Sequence, residues 1–414
     1  MLQSPKAANY IEGLNGIRAL SALLVISTHW PSNFLSLKFG WIGVNIFFVL
    51  SGFLITRILL EEKKGRTIRN YLGRFYYKRF LRIFPLYYLF LALLSAVILL
   101  LSYNMPSLLK NELWMGGYNA VIKDMPYYLT YTYNLKINFR YLFHLADGSN
   151  QFFGHLWSLA VEEQFYLIFP FIVYYASLKN LKRITIAILI ICPLIRLWAC
   201  IYGLNIFEDK YWLGEFIYSN PVCQADALAA GAALVLFDFK IKKTYLFFFV
   251  VASVFLCVGL IQLYFLREAG YFLIEGKSLG YNFPGFWLAQ PTKYFLINIR
   301  TFYLYDLVNL LAVSLILPFI LNKPIFSWFF KSDIMEYLGR ISYGIYVFHN
   351  PLIAFLRLII EPFGGLKLLA DHPILEITIF LTYLGIVIGI SHLSYQFFEK
   401  KILAFKYHKN LELA

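Results

Sequence analysis

Apolar runs of about 20 residues recur along the whole chain, and few folds can accommodate them. A run of that length, wound as a helix, matches the hydrocarbon thickness of a bilayer and satisfies its own backbone hydrogen bonds there. Ten spans are expected, near residues 15–33, 41–60, 83–102, 155–176, 184–203, 220–237, 244–266, 301–321, 337–360 and 374–396. Composition points the same way: 60% of the 414 residues are hydrophobic and only 14% are charged, more apolar material than a soluble domain of this length buries. The expected fold is an all-α integral membrane protein, a single polytopic domain over residues 1–414. The first dozen residues are polar, and the first apolar run carries Arg18 and no small-residue cleavage pattern, so the first span is expected to persist in the mature protein.

The formal net charge is +14, and its distribution reports orientation. Basic clusters fall in alternate connections: Lys63 to Arg82, then Lys179, Lys182 and Arg183, then Lys240, Lys242 and Lys243, then Lys400, Lys401 and Lys406. By the positive-inside rule these connections and both termini face the cytoplasm. The aromatics belong to membrane segments rather than to a soluble basic surface, which argues against nucleic acid as a partner. The connections at residues 103–154 and 267–300 then lie outside. They are rich in Tyr, Trp, Asn and Gly, as at Trp114 to Asn119 and Tyr281 to Trp287. Two readings stand there, an aromatic belt at the membrane interface and stacking surfaces for sugars. Met125 to Tyr131 reads as a short re-entrant or interfacial helix, too short and polar for a span. The four cysteines form neither a metal-ligand spacing nor a disulfide framework, and no metal is expected.

Ionisable residues inside membrane segments are expensive and mark functional sites by default. Arg18 and His29 share the first span. Eleven steps at about 100° return His29 to within about 20° of Arg18, roughly 16 Å along one helix face. The alternative is that Arg18 snorkels to headgroups while His29 sits at the opposite interface. Between Glu61 and Pro85, eight basic residues alternate with Ile68, Tyr71, Leu72, Phe75, Tyr76, Phe80 and Leu81. This pattern predicts a basic cytoplasmic segment at 61–82, an amphipathic helix lying on the membrane and turning into span three. Arg79 and Arg82 project together from one face and enter the apolar segment, a fork suited to phosphates.

Glu162 and Glu163 open the fourth span. They are either partners of the helix dipole or, since they point about 100° apart, one carboxylate facing inward to orient an imidazole. Tyr166 follows in the same run. Asp226, Ser342 and His349 are weaker candidates that read equally well as interhelical polar contacts.

Several of these segments together resemble the membrane-bound acyltransferase-3 family. They are Arg18 and His29, Phe48 to Thr56, Arg79 to Pro85, Trp157-Ser158-Leu159 with Glu162 to Tyr166, and Ser342 to Pro351, in order over nearly the whole chain. The resemblance implies transfer of an acyl group, commonly acetyl, from cytoplasmic acyl-CoA to a hydroxyl of a saccharide at the outer membrane face. It places Arg18 and His29 in that family's Arg-x10-His motif and Arg79 and Arg82 in its basic pair. Many relatives add a C-terminal extracytoplasmic esterase-like domain. This chain ends about fifteen residues after its last span, so such a partner is expected to be absent or separate.

A pantetheine arm is about as long as the roughly 16 Å rise from Arg18 to His29, so phosphates held near Arg18, Arg79 and Arg82 would place a thioester near His29. Histidine suits proton removal from an attacking hydroxyl, and an acyl-histidine intermediate is an open alternative. The expected partners are acetyl-CoA or another acyl-CoA, a saccharide acceptor and membrane lipids, in the plasma (inner) membrane. A saccharide transporter or flippase is the competing class, because intramembrane charges also line transport paths. A noncatalytic membrane partner is the third.

Overall fold

A computed structural model of the chain describes residues 10–31, 35, 39–143, 150–202, 210–268 and 299–405. In chain order α1 (Leu14–His29), α2 (Ile42–Lys63) and α3 (Ile68–Asn104) come first, followed by the short α4 (Glu112–Asn119), α5 (Met125–Leu129) and α6 (Tyr133–Leu142). Next are α7 (Trp157–Tyr175), α8 (Leu178–Tyr202), α9 (Lys210–Ser219), α10 (Pro221–Leu236) and α11 (Thr244–Glu268). The last run is α12 (Arg300–Ile320), α13 (Ser327–Phe330), α14 (Asp333–Arg340), α15 (Ser342–Ile360), α16 (Gly365–Asp371) and α17 (Pro373–Ser394). The described residues form helices and no strands.

Among the described residues eight helices are long and apolar enough to cross a membrane. They are α2, α3, α7, α8, α11, α12, α15 and α17. All ten expected spans are helical, but the first and sixth, α1 and α10, have only 16 residues each. At about 24 Å they fall short of the roughly 30 Å hydrocarbon core. Both are held inside the bundle instead. Gly52 of α2 and Gly231 of α10 interlock, since a Cβ at either would sit 2.0 Å from a carbonyl oxygen of the other helix, Leu228 or Val49. The ninth expected span is divided at Ile341 into α14 and α15. Gly339 lies so close to α1 that a Cβ there would approach the Asn15 carbonyl to 1.9 Å.

Two connections differ from expectation. The basic segment does not lie flat and then turn, because α3 is one continuous helix of 37 residues. At about 55 Å it is far longer than the bilayer core, and its basic turns pack along α7. Tyr71 and Phe75 are buried there, and the Tyr71 hydroxyl donates to the Pro170 carbonyl of α7 at 3.0 Å, which keeps the segment upright. The connection at 103–154 is mostly helical, and α5 falls where a short helix was expected. Trp114, Tyr128, Tyr131 and Tyr133 are buried in one cluster: Trp114 Nε1 donates to Ser102 Oγ at 2.8 Å, Tyr128 stacks on Tyr133 at 4.1 Å and Tyr131 on Tyr87 at 4.3 Å. Most of the connection expected at 267–300, including Tyr281 to Trp287, lies outside the described residues, as does Lys406.

Candidate active site

Helices α1, α2, α3, α7 and α15 enclose a cavity of about 230 Å³. Helical spacing explains its lining. On α7, Ser158, Glu162 and Tyr166 recur every four residues and share one face, and on α3 Phe75, Lys78, Arg79 and Arg82 do the same. From α2, residues between Val44 and Ile58 line the wall, about 21 Å of helix, and Ser51 is its hydroxyl. Arg18 enters from α1, and Ser342 and Tyr346 from α15.

The polar groups are cross-linked. Ser51 donates to Glu162 Oε1 at 2.6 Å, and the Tyr166 hydroxyl faces Glu162 Oε2 at 3.1 Å and Ser51 Oγ at 3.2 Å. The Arg79 guanidinium lies 5.0 Å over the Tyr166 ring and 5.9 Å over Phe75. Lys78, also on the lining, is paired at 2.6 Å with Glu62, which is not. Three arginines therefore face the cavity against one carboxylate, a balance that favours an anionic guest.

Three histidines gather beside this cavity. His349 is central, with ring centroids 5.0 Å from His29 and 5.0 Å from His155. Each ring faces a backbone carbonyl: His29 Nδ1 to Val25 at 2.8 Å, His349 Nδ1 to Tyr346 at 2.6 Å and His155 Nε2 to Val347 at 3.1 Å. A carbonyl only accepts, so these nitrogens carry protons, and in the neutral form of each ring the other nitrogen holds the lone pair. His29 thus presents Nε2 as its basic atom. His349 Nε2 and His155 Nδ1 are buried and have no hydrogen-bond partner among the described residues. Tyr346 joins the cluster to the cavity: its hydroxyl donates to the His155 carbonyl at 2.8 Å and pairs with Ser158 Oγ, and both side chains line the cavity.

Among the residues singled out from the sequence, Arg18, Arg79, Arg82, Glu162, Tyr166 and Ser342 meet at the cavity, and His29 and His349 meet in the histidine cluster. Glu163, one residue past Glu162 and turned away from it, is not on the lining. The hydrogen bonds of Glu162 run to Ser51 and Tyr166, and backbone carbonyls orient the imidazoles in place of the expected carboxylate. Asp226 lies apart in a buried ion pair, 2.6 Å from Arg196 Nη2, with Asn309 donating to it at 3.1 Å and Asp306 3.2 Å from the same guanidinium nitrogen. His155, Ser158, Ser51 and Tyr346 lie within the segments singled out from the sequence but are not among the site residues named there. Two local signals were present: Ser158 precedes Glu162 by one turn, and Tyr346 precedes His349 by three residues. Among the described residues no group of His, Cys, Asp or Glu has a metal-holding arrangement.

Fold and site together define an integral membrane protein whose ionisable residues converge on a cavity inside a helical bundle. Residues 11–395 match the acyltransferase-3 family model, described as an acyltransferase domain, and the chain belongs to that family. It is similar to the protein named "O-acetyltransferase OatA" from Staphylococcus aureus strain NCTC 8325 / PS 47, 28% identical over 362 residues, 86% of this chain and 53% of the relative. It is also similar to "Putative O-acetyltransferase SACOL0978" from S. aureus strain COL, 25% identical over 407 residues, 95% of this chain and 57% of the relative. The chain thus spans about half the length of the curated relatives it matches. No solved structure matches it significantly.

Proposed function

We propose that this protein is an O-acetyltransferase of the plasma membrane that moves an acyl group, typically acetyl, from cytoplasmic acyl-CoA to a hydroxyl of an exported or lipid-linked saccharide at the outer face. The observation that carries this reading is the continuity of the arginine-lined cavity with the histidine cluster through the Tyr346 and Ser158 hydroxyls. Membership of the acyltransferase-3 family and the printed names of the relatives support the reaction class. The clustering of Lys63 to Arg82 at one end of the bundle supports a cytoplasmic donor entrance and cytoplasmic termini.

In this reading Arg79, Arg82 and Arg18 hold the phosphates of the donor, and the pantetheine arm follows the cavity toward the histidines. The acceptor oxygen attacks the thioester carbon, forming the new C–O bond as the C–S bond breaks. His29 Nε2 takes the hydroxyl proton, and the departing sulfur is protonated to free coenzyme A. Neutral imidazole is the right form for that base, because its lone pair is available without prior deprotonation.

The test is to incubate the purified protein in lipid with radiolabelled acetyl-CoA and candidate glycans and to identify the labelled product. Label on a glycan hydroxyl is expected. Label remaining in acetyl-CoA while glycan crosses the bilayer would replace this reading with transport.

A further inference from the structure

The histidine cluster has a support that lies outside the motif segments singled out from the sequence. Glu376 opens α17 in a fully buried position, yet it caps no part of its own helix with its side chain. A carboxylate in a first turn is ordinarily an exposed partner of the helix dipole. Here Oε1 reaches across the bundle and accepts the indole N–H of Trp30 at 3.1 Å and the backbone N–H of Leu35 at 3.2 Å, while Oε2 is buried with no hydrogen-bond partner among the described residues. Burying a carboxylate on two neutral donors costs stability, and an apolar residue of similar size would avoid that cost. Its burial there calls for a reason other than stability.

The neighbours supply one. Trp30 is the residue after His29, its backbone N–H closes α1 onto the Ile26 carbonyl at 3.2 Å, and its side chain is fully buried. The indole packs against Phe380 at 4.9 Å and Tyr383 at 5.5 Å, one and two turns after Glu376 on the same face of α17. Tyr383 in turn donates to the His349 carbonyl at 2.9 Å. One face of one helix therefore grips the chain beside His29 and the backbone of His349. These are the two rings whose centroids stand 5.0 Å apart.

We propose that Glu376 is a positioning residue for His29: through Trp30 and Leu35 it locks the end of α1, so that Nε2 of His29 meets the acceptor hydroxyl in reacting geometry. This rests on the role given to His29 above. What Glu376 contributes is an acceptor oxygen in a fixed place, not a charge that touches substrate.

Three variants and two readouts test this. Glu376→Ala removes the anchor, Glu376→Gln keeps an acceptor oxygen for Trp30, and Trp30→Phe keeps the ring but removes the donor. In transfer assays Glu376→Ala is expected to lower kcat by about 10²-fold, the scale of an ångström-level misplacement, with KM for acetyl-CoA unchanged. Glu376→Gln should restore most of that rate, and Trp30→Phe combined with Glu376→Ala should lose no more than Glu376→Ala alone.

The second readout needs no turnover: the side-chain resonances of His29 in histidine-labelled protein, assigned by their loss in His29→Gln. They should move in Glu376→Ala and Trp30→Phe and stay in Glu376→Gln. Unchanged kcat and unchanged His29 resonances in Glu376→Ala would overturn the proposal, as would a rise in KM that accounts for the whole loss. If Glu376→Ala does not fold, Trp30→Phe, which keeps both the carboxylate and the ring, decides alone by the same criteria. If the wild-type protein transfers nothing to any acceptor, the proposed function falls while the resonances still decide the anchor.

Discussion

Replacing the arginines of α3 one at a time separates a donor site from a membrane-facing basic helix. Arg79 and Arg82 line the cavity, whereas Arg66, in the turn just before α3, is engaged elsewhere, with Nη1 2.8 Å from Glu62 and side chains partly exposed. If the cavity arginines hold the donor phosphates, loss of one charge-assisted hydrogen bond removes about 1.5–3 kcal/mol, a roughly 10-fold to 150-fold weaker affinity. Arg79→Gln should sit at the upper end of that range. The same guanidinium rests 5.0 Å over the Tyr166 ring, so its loss also frees the tyrosine that faces Glu162. Arg79→Lys should recover only part, because an ammonium cannot present a bidentate fork. Arg66→Gln breaks a partly exposed pair worth about 0–1 kcal/mol and should leave donor affinity unchanged. The assay is equilibrium binding of radiolabelled acetyl-CoA to protein in nanodiscs at one fixed ionic strength, since screening alters every such contact. Equal, small effects at residues 66, 79 and 82 would show that these arginines serve lipid headgroups, and the donor entrance would have to lie elsewhere.

His29→Ala should lower transfer by about 10² to 10⁴-fold while acetyl-CoA binding stays intact; near-normal turnover in the glycan assay would remove His29 from the chemistry. Glu162→Gln takes the one carboxylate off an arginine-lined wall, so donor affinity should rise by roughly 10-fold, and weaker binding in the nanodisc assay would contradict the electrostatic account. Asp226→Ala leaves Arg196 buried beside only the more exposed Asp306, at a cost of about 3–5 kcal/mol. Its thermal unfolding midpoint and yield should therefore drop while the folded fraction binds acetyl-CoA normally; a selective loss of donor affinity would return Asp226 to the binding site.

What could be read from the sequence follows the range over which each feature is encoded. Span length is a local property, and all ten segments are helical. The shared face of Arg18 and His29 is likewise local, because both lie within α1. The basic segment was misjudged because its amphipathic pattern reads the same on a membrane surface as along the flank of α7, and only the partner, reached through the Tyr71 hydroxyl, tells them apart. The aromatic connection at 103–154 was hidden for a related reason. Its helices are five to ten residues long, too short for a clear period, and they are stabilised by stacking on α3.

The site itself depends on contacts far apart in the chain: Ser51 meets Glu162 across 111 positions and His155 meets Val347 across 192. The choice of partner for each imidazole shows why type and spacing alone did not suffice. A carboxylate beside His29 was a reasonable expectation, since it would orient the ring and stabilise its protonated form. A helix already supplies an acceptor, the carbonyl four residues back, and His29 uses that of Val25. That carbonyl orients the ring without adding a second charge to a low-dielectric bundle, where an uncompensated carboxylate is costly. The carboxylate is thus free to stand among the arginines, where its charge is balanced, while the Val25 carbonyl takes the Nδ1 side of the His29 ring.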